Sequence, residues 1–148
     1  MTRAEIQSFF PPVLSPLTGV DTSPPHFGAA SYAVPSLAWL QGEFWKFFKY
    51  RLWSENLDRW AVRFECRDFA RAYAAAALEC WALTIGGTTD DGLAVGEMWY
   101  VPSVEKPGVA HALSPVFTEN GLQFIEPQTG QACTLTPDQL SSRYFLRF

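Results

Sequence analysis

Nowhere does the sequence approach the ~18–20 consecutive apolar residues that a membrane-spanning helix needs. Its opening stretch, "MTRAEIQSFFPPVLSPL", has no basic flank leading into a long apolar run, so no signal peptide is expected there. Cysteine is scarce. Cys66, Cys80 and Cys133 are odd in number and form no CxxC, which argues against a disulfide framework. With only two histidines beside them, a structural zinc site is poorly supported. A reducing, cytoplasmic compartment is the expected setting. Basic charge is also short: 11 Lys and Arg against 15 Asp and Glu leave a net charge of -4. Apart from "KFFKYR" at Lys46 to Arg51 the cations are scattered, without the basic face a nucleic-acid partner requires.

What the chain has in quantity is aromatic and apolar surface. Of its 148 residues, 48% are hydrophobic, with 12 Phe and 6 Trp, enough for the core of one domain. Six of the 11 prolines fall in residues 1–35, which excludes a long helix or a central strand there. That segment is expected to be an extended arm over the surface, with one short helix in "RAEIQSFF". Residues 36–148 then form a single domain.

In "PSLAWLQGEFWKFFKYRLW", Leu37, Trp39, Leu40, Phe44, Phe47, Phe48 and Leu52 recur near helical spacing, with Ser36 as N-cap. A second helix is expected from Cys66 to about Leu83. It is apolar on most sides after Arg71, as a buried helix would be. Beyond "GGTTDDG" the periodicity changes. "LAVGEMWYV", "GVAHALSPVF", "GLQFIEP" and "RYFLRF" read as strands, separated by turn signals at Pro107-Gly108, Asn120-Gly121 and Thr129-Gly130. "TPDQLSS" reads as one helical turn. Helices first and an antiparallel sheet afterwards make the fold class α+β.

One group of residues has the makings of a reactive site. Cys66 stands where the second helix begins, and the unpaired N–H groups of a helix start favour a thiolate. A thiol nucleophile also needs a base. His26 lies in the Pro-rich arm, whereas His111 lies within a strand that fixes its direction. Glu126 is the carboxylate best placed to orient it. A two-residue Asn120-Gly121 turn would set Glu126 opposite Pro115, leaving His111 about 13 Å further along at ~3.3 Å per residue. A four-residue loop, Phe117 to Asn120, would set His111 opposite Glu126, so the triad requires the longer loop. Each residue also has a structural explanation. A free Cys is usually a small buried hydrophobe, and a strand His is often simply satisfied by its neighbours. Cys80 and Cys133 are read as core residues.

The order of helix-borne Cys, strand His and strand acid resembles the papain-like and transglutaminase-like cysteine enzymes. More narrowly, "ECRDFARAY", "VAHALSPVF" and "GLQFIEPQTG" resemble the C-terminal cysteine-protease domain of the Marasmius oreades agglutinin and its bacterial relatives, over about residues 60 to 130. The resemblance implies a papain-like fold with Cys66 as nucleophile, His111 as general base and Glu126 as its orienting acid. It also implies Gln128 at the site edge or as an oxyanion donor. Trp60 occupies the position of the oxyanion-hole Gln of papain-like enzymes, and its indole N–H would act as the donor instead. The family domain is calcium-dependent, with acidic residues soon after the Cys. Here Arg67 interrupts them and Asp68 alone remains, with Asp90, Asp91 and Glu97 as further oxygen ligands. The sequence itself requires no cofactor.

The expected function is cysteine-dependent hydrolysis of an amide or peptide bond. Its partner would be a peptide or protein substrate, with no nucleic acid and no membrane. Two alternatives stay open: a catalytically silent binding or structural module of the same fold, as in a phage or multiprotein assembly, and an acyl transferase of transglutaminase type.

Overall fold

A computed structural model of the chain describes residues 1–10, 13–14, 21–22, 25–59, 64–85, 91–103 and 109–148. Its first helix, α1 (Arg3–Ser8), is closed by a capping box in which Thr2 accepts from the Glu5 N–H and the Glu5 side chain accepts from the Thr2 N–H. Three short strands follow: β1 (Val13–Leu14), β2 (Asp21–Thr22) and β3 (Tyr32–Ala33). Ser36 caps the next helical run by accepting from the Trp39 N–H. That run comprises α2 (Leu37–Trp39), a π-helical stretch (Leu40–Phe44) and α3 (Trp45–Ser54). The wider π turn keeps Leu40, Phe44, Phe48 and Leu52, four residues apart, on one buried face.

Helix α4 (Cys66–Ile85) leads into β4 (Gly92–Leu93), β5 (Glu97–Tyr100), β6 (His111–Thr118), β7 (Gly121–Glu126) and β8 (Gln131–Cys133). The one-turn α5 (Pro137–Ser141) and β9 (Phe145–Arg147) complete the order. Strands β5 to β9 form one antiparallel sheet in the order β8-β7-β6-β5-β9. The α+β class is therefore observed. The parallel pairing of β3 with β4 and the short β8 were not foreseen. "QAC" is too short to show alternation, and only its turn was visible in the sequence.

The sheet is covered on both faces. On one side α4, α3 and the π-helical stretch pack Phe44, Phe48, Phe69 and Tyr73 against Val95, Val116 and Ile125. On the other, Ile6, Phe10 and Tyr32 pack against Met98, Leu113, Phe117 and Leu146. All of β6 from Ala112 to Thr118 is buried, which is why it reads as a continuous apolar run.

Two expectations are corrected. Residues 1–10 of the N-terminal segment do not lie over the surface, because Ile6 is 0% and Phe10 1% exposed within the second core. Helix α4 is not buried all round: Leu78 is 49% and Leu83 71% exposed. The sheet lies along only one side, so only the stripe Phe69, Ala70, Tyr73, Ala76, Ala77 and Cys80 is covered.

Candidate active site

One end of the sheet gathers the reactive groups. Tyr100 closes β5, His111 opens β6 and Glu126 closes β7. Tyr100 and His111 are Cα partners, with ring centroids 5.8 Å apart. His111 Nε2 lies 2.8 Å from Glu126 Oε2, so Nδ1 is the ring nitrogen left for another group.

The hairpin reaches this pairing by neither expected register. Thr118 pairs with Gly121 around Glu119-Asn120, which shifts every partner by two residues from either alternative. Continuing that count sets Glu126 across from Leu113, diagonal to His111 on the same face. Diagonal neighbours are about 7–8 Å apart, within reach of two long side chains. The physical reason lies at the turn. Asn-Gly signals a turn with both residues left-handed, yet here only Gly121 is left-handed, at φ +90°. Thr118 Oγ1 fixes the alternative, accepting from the Asn120 N–H at 3.1 Å and donating to the Gly121 carbonyl at 3.2 Å.

The acid is held from behind. The Gln128 N–H donates to Glu126 Oε1 at 3.2 Å, and the Gly130 N–H donates to the Glu126 carbonyl at 2.8 Å. Gly130 is left-handed (φ +70°), and a Cβ there would meet the Trp45 ring at 2.7 Å. Helix α3 thus sets the turn that aims the carboxylate.

Cys66 is the first residue of α4, partly buried and in no disulfide. Asp68 Oδ2 accepts from the Glu65 N–H at 2.9 Å, while the Phe69 N–H donates to the Glu65 carbonyl at 3.0 Å. Phe64 packs edge-on to Phe69 at 4.4 Å, and the Arg67 guanidinium lies 5.5 Å from the Trp99 ring centroid. These contacts anchor the first turn beside β5. Tyr100 links it to the dyad. Burial first, and then the negative charges of Cys133, Glu126 and Cys66, push the Tyr100 hydroxyl up to about 12. Burial likewise pushes up Tyr144; Arg67 counters this, and Cys66 adds to it. Thiol, acid and imidazole therefore share the surroundings of one tyrosine. Among the described residues, no hydrogen bond joins the Cys66 thiol to His111.

The remaining sequence-derived candidates fare differently. Trp60 and Asp90 lie outside the described residues. Gln128 is exposed, and it is its backbone that touches Glu126. Asp68 is taken up by the helix start, and Asp91 accepts from the Ser31 hydroxyl. Glu97, 1% exposed, lies between the guanidinium groups of Arg71 at 3.6 Å and Arg147 at 3.7 Å. Among the described residues no group of three or more His, Cys, Asp or Glu is arranged around a metal position. Glu97 and Asp68 do not fit calcium, because cations or backbone donors already occupy their surroundings.

His26 sits apart, its ring 6.3 Å from Phe145. Burial raises the Cys80 thiol. Cys133, expected as plain core, donates to the Phe124 carbonyl at 3.4 Å; burial and then the Glu126 charge push its thiol up. The roles of Tyr100 and Trp45 were not legible in the sequence, where they are two aromatics among many.

No protein-family model matches the sequence, and no curated protein matches it either. Among solved structures, the whole chain superposes on the Polyporus squamosus lectin bound to the human-type influenza-binding epitope Neu5Aca2-6Galb1-4GlcNAc, with a TM-score of 0.67 at 18% identity. The fold is shared with part of a lectin. A second neighbour, PSL1a in complex with E64, gives the same TM-score of 0.67 and 18% identity. The chain spans about half of each neighbour, 49% and 50% of their lengths. Among the described residues no helix is long and apolar enough to cross a membrane.

Proposed function

We propose that the protein is a cysteine-dependent amide or peptide hydrolase with a papain-like arrangement of Cys66, His111 and Glu126. The observation that carries this reading is the His111 Nε2–Glu126 Oε2 contact of 2.8 Å at the sheet end where α4 begins with a thiol. Glu126 on Nε2 fixes the tautomer and leaves Nδ1 for the sulfur.

Cys66 Sγ gives its proton to His111 Nδ1 and attacks the substrate carbonyl carbon. The oxyanion accepts from the Cys66 backbone N–H at the helix start, with Trp60 or Gln128 as second donor. When the C–N bond breaks, His111 returns the proton to the leaving amine and a thioester remains. Water, deprotonated by His111, then releases the acid and restores the thiol. The absence of a thiol–imidazole hydrogen bond is compatible with this course, since such contacts commonly tighten only around substrate. No step is assigned to calcium.

The test is mass-spectrometric labelling of the three thiols by iodoacetamide and E64, in wild type and His111→Ala, followed by a peptide-library assay. Selective labelling of Cys66 that depends on His111, together with peptide cleavage, supports the reading. Uniform slow labelling with no cleavage overturns it. Added amines in the same assay divert the thioester to new amides if the enzyme is a transferase.

A binding module of this fold is the second reading, favoured by the lectin neighbour. Binding of the Neu5Aca2-6Galb1-4GlcNAc trisaccharide by a chain that fails the labelling test would establish it.

A further inference from the structure

A second concavity, of about 630 Å3, lies well away from Cys66 and is within the size range of small-molecule sites. Ala74, Ala75 and Leu78 line it from α4, about 12–18 Å along the helix from the thiol at 1.5 Å per residue. Phe27 and Phe148 add a pair of rings, stacked at 6.4 Å and 19°. The two alanines do not project beyond Cβ, so the space in front of the helix is left unfilled. This part of the lining is apolar and suits a ring or a short alkyl body.

The charge of the cavity is set where β5 and β9 meet. Glu97, 1% exposed, lies between the guanidinium groups of Arg71 at 3.6 Å and Arg147 at 3.7 Å. Two cations around one buried carboxylate leave one positive charge in excess. Of the two, it is Arg147 that lines the cavity, with its side chain 52% exposed. Among the described residues its guanidinium donates no hydrogen bond, so its fork of N–H groups is open to a ligand. His26 forms a parallel bridge with Arg147, which puts the two side chains on one face, and both line the cavity. The other acid of the lining, Asp91, accepts from the Ser31 hydroxyl. It stands beside the Tyr32–Gly92 pair rather than the Glu97–Arg147 pair.

We propose that this cavity binds a small carboxylate with an aromatic or alkyl body. The carboxylate accepts from the Arg147 guanidinium, whose planar fork matches its two oxygens, and from the His26 ring N–H. The body lies between the Phe27–Phe148 pair and the alanines of α4. Glu97 does not touch the ligand; its part is to pin the Arg147 guanidinium at the cavity wall. The site is independent of the Cys66 chemistry, so neither reading depends on the other.

The probe is naphthoate, with naphthylmethanol and naphthylmethylamine as neutral and cationic controls of similar shape. Binding to the full chain is followed by calorimetry and by thermal shift, at low ionic strength. The expected result is saturable naphthoate binding at least about ten times tighter than that of either control. Ala75→Phe, at an exposed position of α4, fills the cavity without touching the charged groups' chemistry. This variant should keep the unliganded melting temperature and weaken naphthoate at least about tenfold. Arg147→Gln should weaken naphthoate by a similar factor and leave naphthylmethanol unchanged. Absence of saturable naphthoate binding, equal binding of naphthylmethylamine, or unchanged naphthoate binding by Ala75→Phe or by folded Arg147→Gln would each overturn the proposal.

Discussion

Cys80 and Cys133 are distinguished from Cys66 by what surrounds the sulfur. Burial disfavours the thiolate at both, and at Cys133 the neighbouring Glu126 charge adds to it. Alkylation at pH 8 should therefore modify Cys66 first, with the other two lagging at least tenfold, as read from a peptide-level time course. In the proposed mechanism His111→Ala removes the base and should lower turnover by orders of magnitude, whereas Glu126→Gln, which keeps an acceptor for the imidazole, should retain more activity than Glu126→Ala. A steady-state kcat series checks that ranking, and equal losses in the two Glu126 variants would argue for a purely packing role. The candidate residues were legible in the sequence because few of their types are present, two histidines and three cysteines, with Glu126 in the strand after the hairpin turn. Tyr100 was not, since nothing in "EMWYV" says which aromatic stands beside His111 and feels the thiol's charge.

At the level of elements, the Glu126–Gly130 turn is where backbone conformation and packing meet. Gly130→Ala places a Cβ at φ +70° and 2.7 Å from the Trp45 ring. It should destabilise the fold by about 1–3 kcal/mol from strain alone. Trp45→Ala in the same chain should relieve the clash but not the dihedral, so a urea-denaturation cycle of the two variants should show partial rescue. The start of α4 is a second such point. Asp68→Ala removes the acceptor of the Glu65 N–H and should cost about 0.5–2 kcal/mol, with slower turnover if the helix start positions Cys66. Helix and strand types were readable from periodicity and caps. The hairpin register was not, because it depends on whether Asn120 or Gly121 takes the left-handed conformation, and Thr118 decides that through its own hydroxyl.

For the whole molecule, the N-terminal helix is part of the core. Ile6→Ala should destabilise by about 2–5 kcal/mol, as truncation of a fully buried aliphatic side chain does. Deleting residues 1–10 should abolish a cooperative melt, where a surface arm would leave it unchanged. Alkaline pH supplies a second global readout. Tyr100 is held up at about 12, and Tyr73, Cys80 and Cys133 are raised as well, all first by burial. Above their ordinary values of 9 to 10 the unfolded chain releases these protons while the folded chain retains them. The unfolded state then binds fewer protons, so stability must fall as pH rises. Stability should be flat to about pH 8 and decline from pH 9 to 11 in urea melts, and the decline should be shallower in Tyr100→Phe.

The sequence alone determined the fold class, the Ser36 cap, the strands with clear apolar runs and the rare residues able to do chemistry. Those features depend on local propensity, periodicity and residue type, which need no knowledge of distant partners. The tertiary structure decided that Ile6 and Phe10 enter a core and that Glu97 lies between two arginines. It also decided that His111 meets Glu126 on a diagonal. Each outcome depends on which surfaces are brought together across long sequence separations. Burial and charge then act on neighbours that no local window contains.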